Sequence, residues 1–151
     1  MHDPALKIRR AVASDAAGFA RCLDAAYLRY RTRIPDLPDM SQGCAEEIAD
    51  HQVWVVEHQN SIVAGLVLKP KDTFMMLANI AVSPEFAGRG IGRSLMDLCE
   101  DETARQGFAS MRLNTHAGMS ENISLYQRLG WTELNRDRTT ISMEKQIVRS
   151  Q

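Results

Sequence analysis

The stretch Met75-Met76-Leu77-Ala78-Asn79-Ile80-Ala81-Val82, followed at once by Ser83-Pro84-Glu85-Phe86-Ala87-Gly88-Arg89-Gly90-Ile91-Gly92-Arg93-Ser94-Leu95, constrains the fold of this chain more than any other part of it. Its first eight residues are an apolar run with the length of a buried strand. Beyond the glycines, Ile91, Leu95, Leu98 and Cys99 recur on one helical face. A glycine-rich turn therefore joins a strand to a helix. The first turn of a helix leaves amide N–H groups unpaired and carries the positive end of the macrodipole, so such a unit can hold a phosphate. Gly88, Gly90 and Gly92 let a ligand approach the backbone closely, and Arg89 and Arg93 add charge beside the same turn.

Spacing separates the phosphate-binding loops from one another. A P-loop carries Lys-Ser/Thr after its last glycine, where this chain has Arg93-Ser94, and a dinucleotide fingerprint needs a glycine where Arg93 stands. Neither fits, and the glycines taken alone are equally consistent with a plain connecting turn. The whole phrase, Val-x-Pro followed by Gly-x-Gly-Ile-Gly and an apolar helix, resembles the acetyl-CoA pyrophosphate loop of the GNAT superfamily, written Q/R-x-x-G-x-G/A. In that register Ala87 takes the Q/R place, Gly90 the first glycine and Gly92 the second. Ala87 is a departure, because a long polar side chain usually helps to order this loop; Arg89 and Arg93 are placed to compensate.

A second segment, Asn122-Ile123-Ser124-Leu125-Tyr126-Gln127-Arg128-Leu129-Gly130-Trp131, is similar to the family signature Leu-Tyr-x-x-Leu-Gly-Phe/Trp. On its own, a tyrosine on an amphipathic helix reads as a core residue with a satisfied hydroxyl. Paired with the glycine loop, the resemblance implies that Tyr126 points at the thioester sulfur and protonates the leaving thiolate.

The rest of the chain has the element order of one such domain over residues 1–151. Residues 6–12 read as a strand near an edge, with Leu6, Ile8 and Arg10 alternating against Lys7 and Arg9, and Ser14-Asp15 as the N-cap of a helix. That helix carries Phe19, Cys22, Leu23, Ala26, Tyr27 and Tyr30 on one stripe. The loop from Arg29 to Met40 holds two prolines, and Ser41 reads as the cap of a short helix with Cys44, Ala45 and Ile48 inward and Glu46, Glu47 and Asp50 outward. Residues 53–57 and 62–68 form a hairpin. After the glycine loop comes a helix with Asp97, Glu100, Asp101 and Glu102 on its outer side, ending at Gly107. A fifth strand holds Met111 and Leu113, a helix holds Ile123, Tyr126 and Leu129, and residues 132–136 and 140–145 close the sheet before a frayed tail. A strand-helix-strand unit of this length implies one parallel, right-handed crossover.

The fold class implied is an α/β GNAT fold: a mixed, mostly antiparallel sheet of six to seven strands, with helices on both faces and one parallel central strand pair. The resemblance implies acetyl transfer from acetyl-CoA to a primary amine by direct attack, with no metal. It implies that Ile80, Ala81, Val82, Ala87, Gly88, Arg89, Gly90, Ile91, Gly92, Arg93, Ser94, Asn122 and Tyr126 contact the cosubstrate, with a backbone N–H near Ala81 or Val82 holding the thioester carbonyl. Tyr27, Tyr30, Arg33, Asn79 and His116 are the acceptor-side residues. A small-molecule amine or amino-acid derivative is the expected acceptor, since Arg29, Arg31 and Arg33 can meet a carboxylate. Peptide or lysine amines, and an acyl-CoA sensor without turnover, are the alternatives. Met76 and Asn79 stand in the stretch where some relatives have a glutamate base, so no base is assigned; a water chain to Glu57, Asp36 or His116 is one route.

Composition narrows the partners. With 44% hydrophobic and 25% charged residues and a net charge of −1, the chain gives no electrostatic reason to bind nucleic acid. No apolar run approaches the ~18 residues that span a bilayer, and Met1-His2-Asp3-Pro4 lacks the regions of a signal peptide. Cys22, Cys44 and Cys99 are odd in number without metal-ligand spacing, so buried thiols in a reducing cytoplasm are expected. Homodimers are common among such domains, but no stretch marks an interface.

Overall fold

Alternating and continuous apolar runs produce a sheet covered on both faces. The computed structural model describes residues 5–37, 39 and 41–147. Strand β1 (Leu6–Arg10) precedes helices α1 (Ala16–Arg31) and α2 (Cys44–Asp50), and strands β2 (Gln52–His58), β3 (Ser61–Pro70) and β4 (Met75–Val82) follow. Then come α3 (Ile91–Arg105), β5 (Ser110–His116), α4 (Ser120–Arg128), β6 (Thr132–Arg136) and β7 (Thr140–Gln146). The seven strands lie in the order β1-β2-β3-β4-β5-β7-β6, and the β4–β5 pair is parallel. Strand β7 thus enters between β5 and β6 and sets Thr140 opposite His116.

The β2–β3 turn has the left-handed φ values at Gln59 (49°) and Asn60 (67°) that a two-residue hairpin connection needs to match strand twist. One face of the sheet packs Val53, Val55, Val67 and Ala81 against Phe19, Leu23 and Tyr27 of α1 and Cys44 of α2. The opposite face packs Leu66, Leu68, Met75, Met111 and Met143 against Leu95 and Cys99 of α3, with Tyr126 and Trp131 in the same cluster. Helices α1 and α3 therefore bury the stripes their sequence periodicity defines. Cys22, Cys44 and Cys99 are all free and buried.

Several local expectations are corrected by charge pairing. In β1, Ile8 is 39% exposed while Arg9 is half-buried, because its guanidinium bonds Asp15 at 2.7 and 2.9 Å and Glu57 at 2.9 Å. Asp15 does not cap α1 with its side chain; Oδ2 accepts the Val12 N–H at 2.8 Å and pins the end of β1. Ser41 does not cap α2 either. Its hydroxyl donates to Asp39 Oδ1 at 2.8 Å, and Gly43 at φ +80° precedes the helix. Ala45 is exposed, and Glu47 is half-buried by an ion pair with Lys69 at 3.1 Å. On α3, Asp97 and Asp101 face solvent as expected, while Glu100 pairs with Lys145 at 2.9 Å. The sheet continues to Gln146; residues 148–151 of the expected tail, with Pro38 and Met40 of the proline loop, lie outside the described residues.

Candidate active site

Beyond β4 the chain makes a 3-10 turn, Pro84–Phe86, and enters the glycine loop. Gly88 and Gly90 sit at φ +78° and +80°, a region costly for residues with a Cβ, yet a Cβ built at either meets nothing within 4 Å. Conformation rather than crowding calls for glycine at these two positions, and open space lies in front of them. The Ser94 N–H donates to the Gly90 carbonyl at 3.0 Å as the first intrahelical bond of α3. The N–H groups of Gly92 and Arg93 precede it, so the helix dipole and its unpaired donors face the loop.

Strand β4 is shaped by one inserted residue. Leu68 pairs with Leu77 and Val67 with Asn79, so Ala78 is an extra residue opposite β3. A bulge of one residue reverses the alternation of side chains beyond it. Met75 and Leu77 accordingly face the α3 side, whereas Asn79 and Ala81 face α1 and Ile80 and Val82 take over the α3 side. Asn79 Oδ1 then accepts a hydrogen bond from the Tyr27 hydroxyl at 3.0 Å. Strand β5 pairs with β4 only at Met75↔Met111 and Met76↔Arg112. Past that point the two strands separate, and the gap between them becomes the site.

Tyr126 is placed by the way α4 stops. Gly130 adopts φ +97°, its N–H donates to Gln127 O at 3.1 Å, and the Trp131 N–H donates to Tyr126 O at 3.0 Å. These are the two bonds of a Schellman ending, and its usual hydrophobic contact is present, with the Tyr126 and Trp131 rings 6.1 Å apart. The ending sets the rotation of the helix, and with it the direction of Tyr126. Burial drives the Tyr126 hydroxyl pKa far above the ordinary phenolic value, and among the described residues no hydrogen bond offsets it. Tyr27, also buried, is pushed up to about 12. Both hydroxyls stay neutral donors throughout the physiological range.

Two cavities meet at these residues. The larger, about 420 Å³, runs along Gly88, Gly90, Ile91, Gly92 and Arg93 to Ile80, Ala81 and Val82, with Arg29 and Tyr30 on the opposite wall. The smaller, about 240 Å³, lies in the gap between β4 and β5 and is lined by Asn79, Asn114, Thr115, His116, Thr139, Thr140 and Asp36. Tyr27, Ile80, Asn122 and Tyr126 line both. Asn122 is steadied by donating from Nδ2 to the Met119 sulfur at 3.5 Å.

Most residues expected from the sequence come together here, with instructive exceptions. Arg89 stacks over the Phe86 ring at 4.5 Å on the rim of the larger cavity, and Ser94 faces outward beyond it. Tyr30 lines the larger cavity rather than the acceptor side. Arg33 lines neither of the two; it forms a bidentate pair with Glu121 at 3.0 Å to each oxygen. Arg29 donates to the Tyr30 hydroxyl at 2.8 Å. Asn114 and Thr115 of β5, with Thr139 and Thr140 at the start of β7, also line the gap and carry no sequence signal; the β5–β7 register sets Thr140 opposite His116 there. Met96 of α3, Leu125 of α4 and Leu129 at the end of α4 also line the larger cavity; of these, Leu129 alone stands in an apolar stripe read from the sequence.

A family model described as an acetyltransferase (GNAT) domain matches residues 49–133, which contain the glycine loop, the β4–β5 gap and the Tyr126 helix. The chain belongs to the GNAT acetyltransferase family. Its fold is that of solved GNAT proteins: the PaiA N-acetyltransferase from Thermoplasma acidophilum, in complex with coenzyme A, superposes with a TM-score of 0.83 at 18% identity, over 93% of this chain and 98% of that one. In sequence, this GNAT protein is 26% identical over 110 residues to the uncharacterized N-acetyltransferase YjgM of Escherichia coli, covering 70% of this chain and 65% of that protein. It is 39% identical over 57 residues to the [ribosomal protein bS18]-alanine N-acetyltransferase of Escherichia coli, 38% of each. The matched stretches thus span less than two thirds of either relative. Among the described residues, no helix is long and apolar enough to cross a membrane, and no group of three or more His, Cys, Asp or Glu side chains is arranged to hold a metal ion.

Proposed function

We propose that this GNAT protein transfers the acetyl group of acetyl-CoA to a primary amine by direct attack. The observation that carries the reading is the shared wall. A phosphate-compatible cleft and a polar pocket open onto one another at Tyr126, Asn122, Ile80 and Tyr27. The N–H groups ahead of the first α3 bond, together with Arg93 and Arg29, suit the cosubstrate's phosphates. The acyl arm then runs past Val82 toward Tyr126, and the amine enters from the gap between β4 and β5.

In the reaction the neutral nitrogen attacks the acetyl carbon, a C–N bond forms, and the C–S bond breaks as the tetrahedral intermediate collapses. A backbone N–H on the separated stretch of β4, near Ala81 or Val82, can hold the developing oxyanion. Tyr126 gives its proton to the departing sulfur. The burial that makes Tyr126 a reluctant acid also makes a desolvated thiolate a stronger base, which couples the transfer to C–S cleavage. The nitrogen's proton leaves through water. His116 is not its acceptor at Nε2, because Nδ1 already takes the Gly118 N–H at 2.9 Å and the neutral ring therefore carries its own proton on Nε2. Three buried free thiols support a reducing compartment such as the cytoplasm.

Calorimetric titration with acetyl-CoA, followed by thiol release across a panel of amines, tests the reading. Saturable binding with amine-dependent release is expected. No binding would remove the basis of the assignment.

A further inference from the structure

The two cavities differ in charge. Arg29 and Arg93 line the larger, while among the described residues that line the smaller there is one carboxylate, Asp36, and no lysine or arginine. Asp36 belongs to the proline loop between α1 and α2, and its side chain is 62% exposed, which places it at the mouth of the cavity. Its Oδ1 lies 3.3 Å from His116 Nε2. His116 Nδ1 accepts the Gly118 N–H at 2.9 Å, and Nε2 makes no hydrogen bond among the described residues, so Asp36 stands beside this ring by proximity and not as its hydrogen-bond acceptor. At the inner end, around Tyr126, Asn122 and Tyr27, the lining is neutral. The arginines expected to receive a substrate carboxylate are engaged elsewhere: Arg33 with Glu121, Arg29 with Tyr30, and Arg31 3.6 Å from Asp39. An acceptor bringing its own carboxylate would set a second anion near Asp36, with no lysine or arginine among the described lining residues to receive it.

Building on the acetyl-transfer reading, we infer that the acceptor is a diamine-like cation, with one neutral primary nitrogen at Tyr126 and a second, protonated nitrogen held by Asp36. The inner nitrogen gains the acetyl carbon as the C–S bond breaks, sulfur takes the Tyr126 proton, and the proton lost by nitrogen restores Tyr126 through water. The outer nitrogen keeps its proton throughout. Asp36 acts by holding the substrate and takes no part in the bond changes.

The test compares kcat/KM by thiol release for 1,4-diaminobutane, the monoamine of matching length n-pentylamine, 4-aminobutanoate and an alanine-led tripeptide amide, using the full chain. The diamine is expected to exceed the monoamine by roughly fivefold, the scale of a largely exposed charge pair, with 4-aminobutanoate lowest. Asp36→Asn should bring the diamine-to-monoamine ratio close to one, and Asp36→Lys should reverse the order of the diamine and 4-aminobutanoate. A monoamine or tripeptide amide used as well as the diamine overturns the inference, as does a diamine preference that survives Asp36→Asn. Acetyl-CoA binding without release by the diamine also overturns it, while leaving the cosubstrate site standing. Failure to bind acetyl-CoA at all strikes the transferase reading itself. Because Asp36 is exposed, circular dichroism of both variants should match that of the parent.

Discussion

Tyr126→Phe removes one oxygen from the wall shared by the two cavities and leaves the ring. The ring's packing against Trp131 at 6.1 Å and the Trp131 N–H bond to the Tyr126 carbonyl do not depend on that oxygen. Among the described residues no hydrogen bond to the hydroxyl is lost, so the variant should keep the parent's stability to within about 1 kcal/mol. The chemical step should suffer, because the thiolate would leave without a positioned proton donor. General acid catalysis contributes about 10²–10⁴-fold, equivalent to about 3–5 kcal/mol of barrier. The assay is single-turnover thiol release at saturating acetyl-CoA, with Kd from calorimetry measured in parallel. The expected pattern is a loss of at least a hundredfold in rate with Kd changed less than threefold. The pH profile adds a second signature. With the Tyr126 pKa raised by burial, the parent's rate should climb as the amine deprotonates and should not fall as pH passes the ordinary phenolic value near 10. A Phe variant within threefold of the parent rate would refute the role assigned to Tyr126, as would a parent whose rate declines near pH 10 without unfolding.

Three further outcomes follow from particular contacts. Gly90→Val places a β-branched residue at φ +80° in the loop, which should cost about 1–2 kcal/mol of stability and weaken acetyl-CoA binding at least tenfold; an unchanged Kd by calorimetry would contradict the loop's role. Gly65→Ala drives a Cβ to 2.6 Å from Phe19 Cε1 and 2.9 Å from the Trp54 carbonyl, so denaturant unfolding should report a loss of about 1–3 kcal/mol. Asp15→Asn removes the carboxylate that Arg9 grips, with an expected loss of about 1–3 kcal/mol at neutral pH. The folded-state pKa of Asp15 is lowered by Arg9, so this contribution is present above the unfolded value near 4 and disappears as pH falls through the folded one; the gap between parent and variant should therefore close only in acid.

Much of the architecture can be read in the chain because it is written in local rules. The α1 stripe from Phe19 to Tyr30, the apolar runs of β2 to β4 and the glycines that end α3 and α4 each act over a few residues, and the structure places them as their spacing requires. The same is true of the glycine loop, where Gly88 and Gly90 take conformations that only glycine adopts cheaply. Polar detail was less legible. Ser41 and Asp15 are good capping residues by type, yet each found a stronger partner, Asp39 in one case and the Arg9 guanidinium with the Val12 N–H in the other. Side-chain alternation failed as a guide in β1 for a similar reason, since Arg9 is drawn inward by two carboxylates from other elements.

Local patterns in the chain are enough for the order of strands and helices, the faces that α1 and α3 bury, the family, and the two segments that carry the glycine loop and Tyr126. These depend on periodicity and on backbone conformations that one or two residue types satisfy. Long-range packing was needed to show that Ala78 is a bulge which turns Asn79 toward Tyr27, that β7 brings Thr140 beside His116, and that Arg33 spends its charge on Glu121 while Asp36 lines the gap between β4 and β5. Strand register and charge pairing join residues far apart in the chain, and no local pattern encodes which distant partner wins.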